Sequence, residues 1–404
     1  MAEADVIILG GGLVGSALSV ALDAHGLSSI VVDPADPAVF LGADFDGRAS
    51  AIASATHAML DAIGIAGRLA GKGCPIRGIR VSDGLAPGKL DFEPGGNGLL
   101  GVMYENRLLR TALYEAAEAA AGVDLRTQRK PVSVVRGATG VTVTLNDGAV
   151  LSAPLVIAAE GRNSPLREAA GIKVARWRYD HVAMISAFGH EHPHDNIAYE
   201  IFYPSGPFAI LPLNDDANGH RSAIVWTVDA KDAPGMLKLS DRAWLAEAEK
   251  RMGGFLGTLG PLSKRSSYPL GFHHAAKITA ERLALVGDAG HGIHPIAGQG
   301  LNLGLRDVAT LVEVLVEGKR TGLDLGDPQL LARYERWRGL DTFMVALATD
   351  SLTRLFGIPG KTASAVRRFG ISAVDRIPPL KDRFMAEARG ESGQRPKLLM
   401  GELA

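Results

Sequence analysis

The segment VIILGGGLVG, residues 6–15, decides the fold of this chain. Its first four residues, Val6–Leu9, form an apolar run that is too short for a helix, and a helical pattern over Leu13–His25 begins directly after the glycines. A second apolar run, Ile30–Val32, ends at Asp33. This strand-helix-strand order predicts an α/β fold built on a doubly wound parallel sheet.

The glycines of this segment have the G-x-G-x-x-G spacing of dinucleotide-binding turns. Gly10 allows the tight turn, Gly12 lets a pyrophosphate approach the backbone, and Gly15 lets the helix and the strand pack closely. The positive end of the helix then meets the phosphates, and Asp33 is placed to accept hydrogen bonds from a ribose. The motif predicts dinucleotide binding against the alternative of a merely glycine-rich turn, and it leaves NAD and FAD both open.

Composition excludes several classes of protein. The 404 residues carry 43 basic and 44 acidic side chains, so the net charge of −1 gives no general attraction to nucleic acid. A single cysteine, Cys74, cannot form an intramolecular disulfide and fits a reducing compartment. The N-terminus lacks the pattern of a signal peptide, and no apolar run reaches about 18 residues. We therefore expect a soluble, cytoplasmic protein of two or three modules, or one large body with an insertion.

Two stretches change character and interrupt the nucleotide-binding body. Strand-like runs such as Ala198–Tyr203 and Ala223–Val228 predict one inserted antiparallel sheet. Elsewhere we expect a helix over Leu108–Ala121 and a hairpin over residues 132–151 that turns at Asn146-Asp147-Gly148. The predicted domains are residues 1–74, 94–174 and 273–326 for the nucleotide-binding domain, 75–93 and 175–272 for the substrate-binding sheet, and 327–404 for a helical C-terminal region.

A second constellation follows the buried run Leu283–Val286 and favours FAD over NAD. Asp288 comes at the carboxyl end of a strand, where doubly wound sheets bind ligands, and it could accept hydrogen bonds from the ribityl hydroxyls that only FAD has. The turn Gly298-Gln299-Gly300 brings a helix N-terminus to the same place. Such an end favours negative charge by about 0.3–2 kcal/mol, which suits the N1–C2=O edge of a reduced flavin. The alternative is a helix start with structural glycines.

The segment from Gly287 through Asp307 resembles the flavoprotein aromatic hydroxylases of ubiquinone biosynthesis, a branch of the p-hydroxybenzoate-hydroxylase-like class. The quoted motifs are Gly-Asp-Ala-x-His at 287–291 and His-Pro-x-Ala-Gly-Gln-Gly-Leu-Asn-Leu-Gly-Leu-Arg-Asp at 294–307. Further resemblance covers most of the chain, at residues 10–33, 46–48, 105–107, 155–171 and 205–212. Relatives usually carry Asp where this chain has Glu160, and Ala where it has Gly290. Glutamate is longer by one methylene, so the resemblance implies altered contacts with the pyridine nucleotide or the pyrophosphate at Glu160.

The resemblance implies a role for each matching position. The ADP half of FAD would be held by Gly10, Gly12, Leu13, Val14, Gly15 and Asp33, the pyrophosphate and ribityl chain by Arg48, Asn106 and Asp288, and the isoalloxazine by Pro295, Gly298, Gln299, Gly300, Leu301 and Asn302. It also implies that NADPH or NADH reduces FAD, that the reduced flavin captures O₂ as a C4a-hydroperoxide, and that one oxygen atom passes to the ring of a polyprenylated phenol. No protein nucleophile and no catalytic base can be named from the sequence.

Several other features have plain interpretations. Phe202, Phe208, Leu211 and Trp226 alternate on the predicted sheet, and some of them should line the substrate cavity while the others fill the core. His190, His192 and His194 at period two could bind zinc, but an exposed hairpin is the favoured interpretation and no metal is expected. His291 and His294 are predicted to make structural hydrogen bonds. The run 308–316 is predicted to be a buried core helix.

The C-terminal region is basic. Residues 354–397 contain ten Lys or Arg and four acidic residues, which fits either a solvated helix or contact with an anionic membrane surface or a quinone-biosynthesis complex. Two further functions stay open. One is a related FAD enzyme on another substrate, such as a soluble-phenol hydroxylase or a prenyl reductase. The other is a non-catalytic flavin-bound subunit. Homo-oligomerisation also stays open.

Overall fold

A computed structural model describes residues 2–42, 44–85, 89–94, 98–292, 298–339, 342, 360, 367, 370, 374 and 376–404. The strands are β1 Ala2–Glu3, β2 Val6–Leu9, β3 Ser29–Asp33, β4 Ala49–Ala53, β5 Cys74–Ile76, β6 Gly78–Asp83, β7 Lys89–Phe92, β8 Gly101–Glu105, β9 Val123–Thr127, β10 Pro131–Gly137, β11 Gly140–Leu145, β12 Val150–Ala153, β13 Leu155–Ala158, β14 Val174–His190, β15 Ile197–Tyr203, β16 Gly206–Asp216, β17 Gly219–Asp229, β18 Leu259–Leu262, β19 Ser266–Ala275, β20 Thr279–Ala280, β21 Leu283–Leu285 and β22 His291–Gly292.

The α-helices of the described residues lie mainly around the first sheet and near the C-terminus. They are α1 Leu13–Asp23, α2 Pro37–Leu41, α3 Ser54–Ala62, α4 Asn106–Ala119, α5 Pro165–Ala169, α6 Ala233–Lys238, α7 Asp241–Met252, α8 Gln299–Arg320, α9 at residues 328–339 and α10 Pro378–Ala388. Short 3₁₀ turns occupy Ala66–Leu69, Gly287–Ala289 and Lys397–Met400.

A six-stranded sheet of order β20-β21-β13-β2-β3-β9 forms the nucleotide-binding body. Its pairs from β21 to β9 are all parallel, and only β20 runs antiparallel. All residues of β2, β13 and β21 are buried because helices α1, α4 and α8 pack on the sheet. The α/β fold with a doubly wound parallel sheet is therefore confirmed. The predicted core helix at 308–316 is also confirmed, since all nine of its residues are buried within α8.

The inserted sheet has nine strands in the order β22-β19-β14-β17-β16-β15-β6-β7, with β18 pairing to β14. Most pairs are antiparallel as expected, but β6 and β15 run parallel. The long excursion through the nucleotide-binding body between these two strands makes a parallel pair possible. Strand β5, at Cys74–Ile76, pairs with β8 in a small separate sheet. The predicted insertion at 75–93 therefore starts in this small sheet, and only its strands β6 and β7 belong to the nine-stranded sheet. The full domain division stays a prediction.

The predicted hairpin over residues 132–151 is instead three strands. Strands β10 and β11 meet in a two-residue turn between Gly137 and Gly140, and the turn at Asn146-Asp147-Gly148 joins β11 to β12. Glycines on both sides of residues 138–139 allow the tighter first turn. The other local predictions are close: the first helix covers Leu13–Asp23, the fourth covers Asn106–Ala119, and the late one begins at Gln299.

The two faces of the nine-stranded sheet have different neighbours. The outer face packs on helix α7, and Met184, Phe208 and Trp226 form its core with Trp244. The inner face packs on β4, β5 and β8, in a cluster that contains Ala198, Phe202, Ala51 and Met103. This inner face therefore looks toward the elements that lead to the glycine-rich turns of the nucleotide-binding body.

The described part of the C-terminal region contains helices α9 and α10, whereas residues 389–396 are turns and irregular chain. The prediction for the remaining parts of residues 340–375 lies outside the described residues. Within the described part of the chain, no helix combines the length and the hydropathy needed to cross a lipid bilayer.

Candidate FAD site

The turn between β2 and α1 leaves no space for side chains at two of its glycines. Gly10 has a φ of +103°, and a Cβ there would lie 2.4 Å from the carbonyl oxygen of Ala159. A Cβ at Gly15 would lie 1.8 Å from the carbonyl oxygen of Gly10. By contrast, no atom lies within 4 Å of a Cβ built at Gly12, and helix α1 begins there without a side-chain cap. The first N–H groups of α1 therefore face an open space that fits a pyrophosphate.

Asp33 lies beside this turn at the end of β3. Its Oδ2 accepts a hydrogen bond from the N–H of Gly11 at 2.6 Å, and its Oδ1 accepts one from the N–H of Ala35 at 2.7 Å. A carboxylate has about four acceptor positions, so the fixed Asp33 can still accept hydrogen bonds from a ribose. The adjoining cleft is also lined by Phe40, Arg110 and Tyr114. The aromatic rings and the open turn suit the adenosine half of a dinucleotide.

Arg48 immediately precedes β4 and Asn106 immediately follows β8, and the two residues lie next to one another. The carbonyl of Arg48 accepts a hydrogen bond from the N–H of Asn106 at 2.9 Å, and Ser50 Oγ donates to Asn106 Oδ1 at 2.7 Å. The Arg48 guanidinium pairs with Asp46 at 2.5 Å, and both side chains remain about 40% exposed. Burial acts to raise the pKa of the Asp46 carboxyl, but its hydrogen bonds with Arg48 outweigh this and lower it. Arg48 is therefore held in place by Asp46 while its cation stays accessible.

The start of helix α8 is a second uncapped helix N-terminus. Gly298 precedes it with a φ of +64°, and a Cβ at Gly300 would meet no atom within 4 Å. Gln299, Gly300 and Leu301 are half-buried in the first turn. The Asn302 side chain is already used, because its Oδ1 accepts from the N–H of Ala53 at 2.9 Å and its Nδ2 donates to the carbonyl of Ala51 at 2.8 Å. Asn302 can therefore offer a cofactor its backbone only.

The loop from β21 carries an exposed carboxylate over a buried network. Asp288 is exposed, and its carbonyl accepts a hydrogen bond from His273 Nε2 at 2.8 Å. Beneath it, buried Asp307 accepts from the N–H of Gly287 at 2.9 Å, from His291 Nε2 at 2.6 Å and from Arg338 Nε at 2.7 Å. Burial acts to raise the pKa of the Asp307 carboxyl, but the charges of His291 and Arg338 outweigh it and lower the pKa. The structural role predicted for His291 is confirmed.

Two predicted residues of this loop, His294 and Pro295, lie outside the described residues. Val14 and Leu13 are in the first turn of α1, where Val14 contacts Gly287 and Gly304 and so joins α1 to the loop and to α8. The two uncapped helices and the exposed Asp288 thus border one region. The donor-rich helix ends and the missing side chains at Gly12 and Gly300 fit FAD, whose pyrophosphate and flavin edge both need hydrogen-bond donors.

Glu160 has a local structural role. Its Oε2 accepts hydrogen bonds from Ser164 Oγ at 2.6 Å and from the N–H of Leu166 at 3.1 Å, so it holds the start of helix α5. The buried Arg167 of the same helix donates to the carbonyl of Ala289 at 2.9 Å. The segment at 160–167 therefore supports the loop that carries Asp288.

The four pocket candidates divide between the two faces of the nine-stranded sheet. Phe202 and Leu211 belong to the inner-face cluster, beside Ala49 and Ala51 of β4. Phe208 and Trp226 pack on the outer face, with their ring centres 5.4 Å apart. These two residues fill the core under α7. Only Phe202 and Leu211 stay candidates for the substrate cavity.

The prediction of an exposed hairpin is wrong for two of the three histidines, because they are buried. His190 and His194 are 7% and 8% exposed. His190 Nε2 hydrogen-bonds with Ser222 Oγ at 3.0 Å and His194 Nε2 with the carbonyl of Leu213 at 2.9 Å. Strand β14 continues through His190, so its side chain packs into the sheet. Across the part of the chain that the structure describes, no three His, Cys, Asp or Glu side chains are grouped to hold a metal ion.

The sequence gives no acid-base residue, but the structure shows a candidate in Glu200. It lies in β15 between Ala198 and Phe202, on the inner face of the sheet. Burial raises the pKa of its carboxyl to about 8. The sequence contains a signal for this placement. Period-two alternation along a strand puts the acidic residue on the same face as the inward-facing residues two positions before it and two positions after it.

Comparison with known proteins agrees with this geometry. The profile of the family described as FAD binding domain matches residues 3–340. The chain is 44% identical to the ubiquinone hydroxylase UbiL of Rhodospirillum rubrum, over 98% of this chain and 92% of the relative. It is 34% identical to the 3-demethoxyubiquinol 3-hydroxylase of Escherichia coli, over 96% of this chain and 98% of the relative.

Solved structures share the fold. A p-nitrophenol 4-monooxygenase, PnpA, from Pseudomonas putida superposes with a TM-score of 0.78 at 19% identity, covering 98% of this chain and all of the other. A probable FAD-dependent monooxygenase, pqsL, from Pseudomonas aeruginosa gives a TM-score of 0.74 at 23% identity, covering 92% of this chain and all of the other.

Proposed function

This chain belongs to the FAD-binding-domain family of flavoprotein hydroxylases, and from that premise we propose that it hydroxylates the aromatic ring of a polyprenylated phenol on the path to ubiquinone. The observation that carries this proposal is the 44% identity along 98% of the chain with a ubiquinone hydroxylase. The geometry supports it, because two open helix N-termini and the fixed Asp33 border a region suited to FAD.

The residues that would hold FAD divide along the length of the cofactor. Gly10, Gly12, Leu13, Val14, Gly15 and Asp33 would hold the ADP half, Arg48, Asn106 and Asp288 the pyrophosphate and the ribityl chain, and Pro295 with residues 298–302 the flavin ring. Bound FAD, once reduced by NADPH or NADH, would supply the electrons that activate O₂, and one oxygen atom of that O₂ would pass to the ring. The chain itself supplies fixed hydrogen-bond donors at the two helix ends.

The inner face of the nine-stranded sheet would hold the substrate. Its side chains are largely apolar, including Phe202, Leu211 and Phe92. An apolar wall suits a phenol ring with a polyprenyl tail, and it also excludes water from the reacting oxygen. Val374 and Met385 of the C-terminal region pack on the same cluster, which supports a role for that region in covering the cavity.

The basic C-terminal region would bring the enzyme to the inner face of the cytoplasmic membrane, where a polyprenylated substrate resides. Residues 354–397 carry an excess of six positive charges. In helix α10 and just before it, Phe384 and Ile377 are 42% and 48% exposed. Exposed apolar side chains among basic ones are typical of peripheral attachment to anionic lipid.

The test uses purified protein with FAD, NADPH, ¹⁸O₂ and a polyprenylphenol of short tail length. We expect a product heavier by one ¹⁸O atom on the ring. A product heavier by two hydrogens would show a prenyl reductase instead, and NADPH oxidation that the phenol stimulates without any hydroxylated product would refute the proposal. The control is the same protein with a soluble phenol that lacks the prenyl tail, which should react more slowly.

A second experiment separates an enzyme from a non-catalytic subunit. Replacing the exposed Arg376 and Arg383 by glutamate should weaken binding to anionic vesicles and leave FAD bound. Loss of ubiquinone synthesis in the host together with unchanged hydroxylation of the short-tailed phenol would agree with a membrane role for this region. Full synthesis in a host that carries a catalytically inactive full-length protein would contradict an enzymatic role.

A further inference from the structure

Glu200 occupies the middle of the inner face. In register it lies opposite Val81 of β6 on one side and Ala209 of β16 on the other. Paired residues of neighbouring strands point to the same side of a sheet, so the carboxyl stands among Val81, Ala209, Ala198 and Phe202. Its immediate neighbours on this face are all apolar.

Nothing in the described part of the chain neutralises this carboxyl. No hydrogen bond or ion pair joins Glu200 to another described side chain, and burial is the sole cause of its raised pKa of about 8. An ionised carboxylate without a partner in apolar surroundings is unfavourable. Such groups are concentrated at functional sites. The residue as a whole keeps intermediate exposure, so it is not completely enclosed by the core.

The other charged and titratable groups on this side of the sheet differ from Glu200, because the two acids have cationic partners and the thiol holds its proton tightly. Asp83 pairs with Arg367 at 3.0 Å, and Glu105 lies between Arg107 and Arg221, with both hydrogen bonds at 2.6 Å. Burial raises the pKa of the Cys74 thiol on β5 to about 11. These acids are compensated and the thiol is protonated at neutral pH, so among the described residues of this face Glu200 is the group that can exchange a proton.

The inner face continues to the region where the flavin ring would bind. Ala51 of β4 belongs to the same apolar cluster as Ala198 and Phe202. A Cβ built at Gly298 would lie 3.4 Å from the Cβ of Ala51, and the carbonyl of Ala51 accepts a hydrogen bond from Asn302. One continuous apolar wall therefore connects the surroundings of Glu200 with the N-terminus of helix α8.

We propose that Glu200 binds the hydroxyl group of the phenolic substrate and takes its proton before oxygen transfer. This inference rests on the proposed function. The phenol O–H bond breaks, a carboxyl O–H bond forms on Glu200, and the electron pair stays on the phenolate, so no further reactant is needed. The phenolate donates electron density to the ring and makes it more reactive toward an electrophilic oxygen. A phenol has a pKa of about 10, so a carboxylate of raised basicity is better matched to it than an ordinary one.

The first test needs no turnover. A short-tailed prenylphenol is bound to the FAD-containing protein, and its ultraviolet difference spectrum is recorded from pH 6 to pH 10 for wild type, Glu200→Gln and Glu200→Asp. We expect the bound phenol of wild type to ionise at a pH at least one unit above that seen in Glu200→Gln, because an ionised carboxylate in contact with the phenol disfavours a second negative charge, with an intermediate value in Glu200→Asp. Identical ionisation of the bound phenol in wild type and Glu200→Gln would overturn the proposal.

The second test follows activity. In Glu200→Gln we expect hydroxylated product to form about a hundredfold more slowly, with little change in KM, and the rise of kcat with pH near 8 to disappear. A product rate within threefold of wild type would contradict the assignment. If wild type gives no hydroxylated product, the proposed function fails, whereas the ionisation of the bound phenol still decides the role of Glu200.

A third measurement tests the raised pKa of Glu200 in the folded protein. Because the folded protein holds the Glu200 proton more tightly than the unfolded chain, its contribution to stability is present at low pH and lost as pH rises through about 8. The urea midpoint of wild type should therefore fall relative to that of Glu200→Gln between pH 5 and pH 9. A constant difference across this range would show that the carboxyl titrates normally and would count against the proposal.

Discussion

Replacing Asp307 by alanine should strongly destabilise the protein. Asp307 is 1% exposed, and it joins Gly287, His291 and Arg338 through three hydrogen bonds of 2.6–2.9 Å. Arg338 is itself 1% exposed. The alanine variant would leave the buried guanidinium without this carboxylate and the loop at 287–292 without its anchor.

The magnitude follows from burial. Removing one partner of a buried ion pair costs about 3–5 kcal/mol. The same helices offer a matched control, because Glu317 of α8 pairs with Arg333 of α9, with side chains 40% and 44% exposed. A surface pair of this kind contributes about 0–1 kcal/mol. We therefore expect Asp307→Ala to lower the free energy of unfolding by about 4 kcal/mol and Glu317→Ala to lower it by less than about 1 kcal/mol.

Urea unfolding followed by circular dichroism measures both variants. The pKa of Asp307 is lowered from its ordinary value of 3.8, so its contribution is present above that pH and is lost as pH falls through the folded-state value. The difference between Asp307→Ala and wild type should accordingly shrink in acid. Equal effects of Asp307→Ala and Glu317→Ala at pH 7 would refute the reasoning, because burial would then have no bearing on the energy of the pair.

Three further outcomes follow from the packing. Gly15→Ala should purify without the yellow colour of FAD, because the new Cβ would lie 1.8 Å from the carbonyl oxygen of Gly10; normal flavin absorbance in this variant would contradict the geometry of the turn. Cys74, with 3% exposure and a pKa raised to about 11, should react with a thiol reagent at pH 8 only after unfolding, and rapid labelling of the native protein would be the contrary result. Trp244→Ala should lose about 3–5 kcal/mol of stability and keep its affinity for FAD, since this ring packs on the outer face with Trp226. Calorimetry measures the stability and flavin titration measures the affinity. Loss of FAD affinity with unchanged stability would contradict this placement.

The nucleotide-binding half could be predicted from the sequence because its signals are local. The alternation of Val6–Leu9, the glycine turn and Leu13–His25 occurs within twenty residues, and each signal has a steric or hydrogen-bonding cause. The late helix was predictable for the same reason. Its first turn is preceded by Gly298 in a left-handed conformation, which glycine adopts without strain.

The inserted sheet could be predicted in type but not in detail, because register depends on pairing between distant residues. Period-two alternation does not say whether Phe202 and Phe208 share a face. The two-residue connection between Tyr203 and Gly206 decides it, since it sets Phe202 opposite Pro207 and Ile201 opposite Phe208. This turn was a readable signal, and with it the two rings could have been assigned to opposite faces. The parallel pairing of β6 with β15 had no such local signal.

The short strand β22 has a consequence for engineering. His291 and Gly292 pair with His274 and His273 of β19, so the loop that begins on the parallel sheet ends as an edge of the nine-stranded sheet. A chimera that exchanges only residues 175–272 with a relative would divide β19 between Phe272 and His273, so that most of this strand came from the relative while its pairs with β22 stayed in the host. To transfer the substrate preference of a relative, β19 and residues 287–292 would have to be exchanged together.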